Sequence, residues 1–250
     1  MIRVAAVGDV HFGQDSAGTL RPHLEDIAEH ADVYLLAGDL TRLGYPEEAA
    51  VLARELRDLP VPVVAVLGNH DYHSDQEKAV TDVLEDADIR VLEGEAVVLD
   101  VGGTPVGIAG VKGFGTGFAG ACGSDFGEPM MKAYVRHAQE AADRLGGALE
   151  DLARAGIEHR VALMHYSPSE GTLRGERLEI YPFLGSYLLG EAVDRVGADV
   201  AIHGHAHAGT EKGLTPGGIQ VRNVAQPVIN RAYNVYCLDC PPEPAATTGA

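Results

Sequence analysis

Five short apolar runs in this chain each stop at residues able to bind a metal ion. They are Ile2–Val7 before Gly8-Asp9-Val10-His11, Val33–Ala37 before Gly38-Asp39, Val61–Leu67 before Gly68-Asn69-His70-Asp71, Val161–Met164 before His165, and Val200–Ile202 before His203-Gly204-His205-Ala206-His207. Short apolar runs bounded by glycine read as buried strands, so the five clusters fall where strands end. In an open α/β sheet, ligands bind at the carboxyl ends of the strands. Asp9, Asp39 and Asn69 are each thirty residues apart, close to the length of a βαβ unit, so three parallel strands would bring three ligand-type side chains to one rim. His165 and the His205/His207 pair add nitrogen donors from two further strand ends.

Apolar residues at three- and four-residue spacing predict helices between the early strands, over His23–Ala31, Pro46–Leu59 and Asp75–Ala87. Ser74 and Glu77 form a capping-box pattern for the third. The first ninety residues therefore read as βαβαβα with a parallel sheet. From Arg90 the pattern changes. Arg90–Leu92, Ala96–Val101 and Pro105–Val111 read as strands joined by glycine turns, which predicts a second sheet packed on the first. A glycine-rich stretch, 112–127, leads to a long helical stripe over Pro129–Ala155, where Gly146-Gly147 is a candidate break. Gly185–Val196 reads as a helix, and Gly218–Val224 and Tyr233–Leu238 as closing strands. The fold class is α/β, with two packed mixed sheets flanked by helices in one domain over residues 1–240. The Pro-, Ala- and Thr-rich tail, 241–250, is expected to be disordered.

Composition narrows the function. No stretch approaches the ~20 apolar residues of a membrane span, and Met1 runs straight into the first strand with no signal-peptide pattern, so a cytoplasmic location is expected. A net charge of −18 opposes a nucleic-acid backbone. Cys122, Cys237 and Cys240 are too few and too irregular for a disulfide framework, and Pro241-Pro242 stands where a redox Cys-x-x-Cys motif would continue into a helix. Gly115-x-Gly117-x-x-Gly120 spells a dinucleotide fingerprint, but no clear helix starts at its third glycine and no acidic partner is placed on a following strand.

In the residues Asp9 and His11, Asp39, Asn69-His70-Asp71, His165, and His205 with His207, the chain resembles the calcineurin-like metallophosphoesterase family, with all five blocks in the family order. The resemblance implies a ββ-sandwich flanked by helices and a dinuclear hydrolase of phosphomonoesters or phosphodiesters that attacks with a metal-bridging hydroxide. It implies that Asp9, His11 and His207 hold one metal, that Asn69, His165 and His205 hold the other, and that Asp39 bridges them. Imidazole, carboxylate and amide donors suit two ions such as Mn²⁺, Fe²⁺/³⁺ or Zn²⁺ rather than a thiolate-type zinc. His70 would then act on substrate, by phosphate stabilisation or leaving-group protonation. Asp71 would orient it, or else cap the following helix. His73 and His203 match no ligand position. Arg42, Lys112 and Phe114 are candidates for contact with a small-molecule phosphoester. A non-catalytic interaction scaffold and a nuclease are the alternatives; complete ligand positions weigh against the first, and acidity weighs against the second.

Overall fold

Each of the five apolar runs forms a strand. The computed structural model describes residues 1–238, so Cys240 and the tail from Pro241 lie outside it. In chain order the strands are β1 (Arg3–Val7), β2 (Val33–Ala37), β3 (Val63–Val66), β4 (Ile89–Val91), β5 (Glu95–Val101), β6 (Thr104–Val111), β7 (Gly117–Phe118), β8 (Ala121–Cys122), β9 (His159–Met164), β10 (Val200–His203), β11 (Lys212–Leu214), β12 (Gln220–Asn223) and β13 (Asn234–Cys237). The first sheet runs β13-β1-β2-β3-β4 and is parallel apart from β13. The second runs β11-β12-β10-β9-β6-β5, parallel inside and antiparallel at both edges.

The two sheets pack face to face. Val4, Ala6, Val33, Leu35, Val64 and Val66 of the first meet Val106, Ile108, Val161, Leu163, Val200 and Ile202 of the second. The alternate residues Ala5, Val7, Tyr34, Leu36 and Ala65 turn outward against helices. On that side lie α1 (Ile27–His30), α2 (Pro46–Leu56) and α3 (Glu77–Glu85). The outer face of the second sheet is covered by α4 (Pro129–Arg154) and by α6 (Tyr187–Val196), which follows the single turn α5 (Tyr181–Leu184). A last turn, α7 (Gln226–Ile229), precedes β13. Strands buried on both faces carry unbroken apolar runs instead of alternating ones, which is why these five are conspicuous. Each fully buried Val or Leu stabilises the sandwich by roughly 1.5–3 kcal/mol.

Three expectations need correction. α4 runs unbroken through Gly146-Gly147, because Gly146 faces α6 at Ala192 and Arg195 and its missing side chain admits close packing. The capping box does not form: α3 starts at Glu77 without a side-chain cap, and the Ser74 hydroxyl donates to the Leu43 carbonyl. The stretch read as a helix over His23–Ala31 contains only the four-residue α1, preceded by a single 3₁₀ turn at Arg21–His23. Among the described residues, no helix is long and apolar enough to cross a membrane.

Candidate metal centre

The carboxyl ends of both sheets meet at one rim. Asp9 N–H donates to the Gly38 carbonyl (2.9 Å), His11 N–H to Asp39 O (3.0 Å), and Gly204 N–H to His165 O (3.2 Å), so the ligand loops are stitched together by backbone. Close approach restricts two positions to glycine. A Cβ at Gly68 would collide with the Asp39 carboxylate, and one at Gly204 with the Asp9 carboxylate. Four of the ligand-type residues, Asp9, His11, Asp39 and His205, have φ between 44° and 70°. That left-handed region is costly for residues with a Cβ and tends to be found at functional sites.

Donor atoms converge in three overlapping groups, each within 4.8 Å: Asp9 with His11 and His207, His11 with Asp39 and His70, and Asp39 with His165 and His205. Asp39, 1% exposed, stands between the two sides. Its Oδ1 lies 3.4 Å from His165 Nε2, while its Oδ2 lies 3.9 Å from His11 Nε2 and 4.0 Å from His70 Nε2. On the far side, His207 Nε2 is 2.8 Å from Asp9 Oδ1.

The donor set fits a cation. His165 Nδ1–H donates to the Ala37 carbonyl at 2.9 Å, which leaves the Nε2 lone pair facing Asn69 Oδ1 at 3.0 Å and Asp39 Oδ1 at 3.4 Å. Lone pairs turned on one another without a proton between them mark a metal position, and a ring fixed through its other nitrogen to a carbonyl is the usual second support of a histidine ligand. His205 is held in the same way, by Nε2–H to the Phe183 carbonyl at 3.0 Å, leaving Nδ1 for a ligand.

Burial tunes these groups. It pushes Asp9 up to about 6 against the pull of His207. It pushes His205 down to about 3 and His165 well below the ordinary histidine range, so both rings stay neutral, the form that binds metal. His207 is raised by its bond to Asp9.

All seven predicted ligand positions come together, and His70 stands beside them with its ring 4.5 Å from that of His11. The expected contact between Asp71 and the His70 ring is not present. His70 Nδ1 faces the Arg42 carbonyl at 2.8 Å, and the buried Asp71 carboxylate accepts from Leu40 N–H (3.1 Å), Thr41 N–H (2.8 Å), the Thr41 hydroxyl (2.6 Å) and Gly68 N–H (2.8 Å). Asp71 thus clamps the loop after β2 to the loop after β3. Nor does it cap a helix, since the turn at His70–Tyr72 starts from Asn69 and α3 from Gln76. Asp71→Ala would leave these buried donors unpaired and is expected to cost about 3–4 kcal/mol. A urea denaturation midpoint corresponding to a loss under about 1 kcal/mol would count against the clamp.

The remaining candidates separate. Arg42 pairs with Asp15 at 3.0 Å on the surface, both side chains at least half exposed, and its carbonyl serves His70. His203 is buried between the Thr172 hydroxyl (2.8 Å) and the Gly204 carbonyl (2.7 Å), a structural role. The glycine fingerprint forms the β7–β8 hairpin and opens no helix. Lys112 stands at the carboxyl end of β6; the apolar run Val106–Val111 just before it is the sequence signal for a sixth strand ending on this rim.

The model of the calcineurin-like phosphoesterase family matches residues 2–209. Among solved structures, the chain is similar to a phosphopantetheinyl hydrolase from Mycobacterium tuberculosis (16% identity, 89% of this chain and 88% of that one, TM-score 0.59). It is also similar to a 5'-nucleotidase precursor from Thermus thermophilus (18%, 89% and 48%, TM-score 0.54) and to GAP50, the anchor in the inner membrane complex of Plasmodium (13%, 90% and 72%, TM-score 0.56). At these identities the likeness is one of fold. Curated protein sequences give no match.

Proposed function

Because this chain belongs to the calcineurin-like phosphoesterase family and is a phosphoric ester hydrolase, we propose that it cleaves a small-molecule or nucleotide phosphoester with the help of two transition-metal ions. The observation that carries this reading is the position of Asp39, whose two carboxylate oxygens face two separate sets of histidines. Asp9, His11 and His207 would hold one ion, and Asn69, His165 and His205 the other, with Asp39 shared. The mixed donors fit Mn²⁺, Fe²⁺/³⁺ or Zn²⁺. Bound there, such ions supply an activated water and neutralise phosphoryl charge.

The chain's own groups do the rest. His70, its side chain 42% exposed, opens toward solvent beside Asp39, while the carbonyl of Arg42 fixes which nitrogen carries the proton. Held in that tautomer, Nε2 can receive a proton from solvent and pass it to a leaving oxygen. The buried side, Asp9, Asp39 and His165, keeps the ligands fixed while substrate enters from the open side. The chain's negative charge and its complete ligand set argue against the nuclease and scaffold alternatives.

Metal titration tests the reading. After Mn²⁺ loading at about pH 8, elemental analysis is expected to give close to two ions per chain, with hydrolysis of aryl phosphoesters. Retention should weaken as pH falls into the acid range. The sign follows from Asp9 and His207, both raised in the metal-free site, so protons compete with the ions for these two ligands as pH drops. His165 and His205 stay neutral there, so they do not set the limit. One ion or none on folded protein, or no hydrolysis by protein carrying two, would sink the reading.

A further inference from the structure

The ligand loops do not account for Lys112, a cation packed into the same rim. It follows the last residue of β6, and β6 lies beside β9, which ends at the His165 ligand. Lys112 is 8% exposed, and lysine is almost never so buried unless something is done with its charge. Among the described residues its ammonium has no carboxylate within ion-pair reach, and its one hydrogen bond is a long contact of 3.4 Å to the Gly113 carbonyl. Three aromatic faces surround it instead. Nζ lies 4.7 Å from the ring centre of Tyr72, 5.4 Å from Phe114 and 5.5 Å from Tyr166. Cation–π attraction offsets part of the desolvation but leaves two of the three N–H donors without an acceptor.

Two of those rings lead to the metal centre. Tyr166 packs its other contacts on His205, at 4.4 Å between ring centres, and His165, at 5.5 Å. Tyr72 lies two residues beyond His70. Arg42, by contrast, is half exposed and pairs with Asp15 at the surface. Glu93 does not neutralise Lys112 directly, since its carboxylate accepts from the Lys112 backbone N–H and pairs with Arg144.

We propose that Lys112 is a substrate-binding residue whose ammonium takes a phosphoryl oxygen and selects dianionic phosphomonoesters over monoanionic phosphodiesters. This rests on the hydrolase reading above and deepens it. Coulomb attraction scales with the product of charges, so a positive group held in place by aromatic walls favours the doubly charged ester. The aromatic faces suit this duty: they stabilise the cation without supplying an anion that substrate would have to displace.

The experiment compares wild type with K112M, K112Q and K112R, each loaded with Mn²⁺ and checked for melting temperature and metal content. Substrates are an aryl phosphomonoester and the methyl diester of the same phenol, and calorimetry with inorganic phosphate gives a readout independent of turnover. In K112M and K112Q, kcat/KM on the monoester and the affinity for phosphate are expected to fall roughly 10- to 100-fold, the worth of a charge-assisted hydrogen bond. The diester, carrying half the charge and so half the attraction, should lose only about three- to tenfold, and K112R should stay within a few-fold of wild type. Equal losses on both esters, or phosphate affinity unchanged in the neutral variants, would overturn the proposal. Wild type that carries two ions and hydrolyses neither ester counts against the hydrolase reading instead, and phosphate calorimetry still decides whether Lys112 binds the anion. If one neutral variant does not fold, the other serves.

Discussion

Asp39→Asn is expected to bind fewer than two ions per chain and to lose at least about 10³-fold in kcat, more than Asp9→Asn or His207→Ala, because charge stabilisation by bound metal is worth several kcal/mol. The reason is geometric. Asp39 turns one oxygen to His165 and the other to His11, so it alone serves both sides, and an amide keeps its shape while removing the charge that two cations would share. The amide oxygen of the variant would also keep an acceptor for the His70 backbone N–H, which bonds to Asp39 Oδ1 at 2.8 Å, so local folding should survive. Metal content and rate near wild type would show that Asp39 is not shared.

His70→Ala should retain both ions while turnover falls roughly 10²- to 10⁴-fold, the usual contribution of acid–base catalysis. The loss should shrink on a nitrophenyl ester, whose phenolate departs without help, and be largest on an alkyl ester. His70 Nε2 also lies within reach of a metal held by His11 and Asp39, which sharpens the test. Loss of an ion on mutation would make His70 a ligand, and equal losses on the two esters would reduce it to an electrostatic stabiliser of the phosphoryl oxygens. Since the Arg42 carbonyl orients the ring, Arg42→Ala should spare this function.

What can be read in the sequence follows from burial. Val4 and Ala6 face the sister sheet while Ala5 and Val7 face helices, so the whole run has to be apolar and is visible as such. The ligands are visible because each lies within four residues of the end of a strand. Strand β11, Lys-Gly-Leu with its lysine and leucine exposed, carries no such pattern; its partner β12 supplies the reason it is extended. The start of α3 departs from its sequence pattern because Ser74 finds a better acceptor across the loop, at Leu43, than its own helix offers. Asp71 shows the limit most clearly. Its adjacency to His70 in sequence suggests contact, yet the turn directs its carboxylate back to Thr41 and Gly68, and only the fold shows that thirty-residue link to Thr41.

At Asp9, His11, Asp39 and His205 the backbone is held in a conformation that glycine would adopt without strain. Relaxing any one of them by that exchange would remove a ligand. At His11 and His205 easing the strain and disarming the site are therefore one change, while at Asp9 and Asp39 glycine would also strip the His205 and His70 backbone N–H groups of their acceptors, so engineering for durability belongs in the sandwich core and the outer helices.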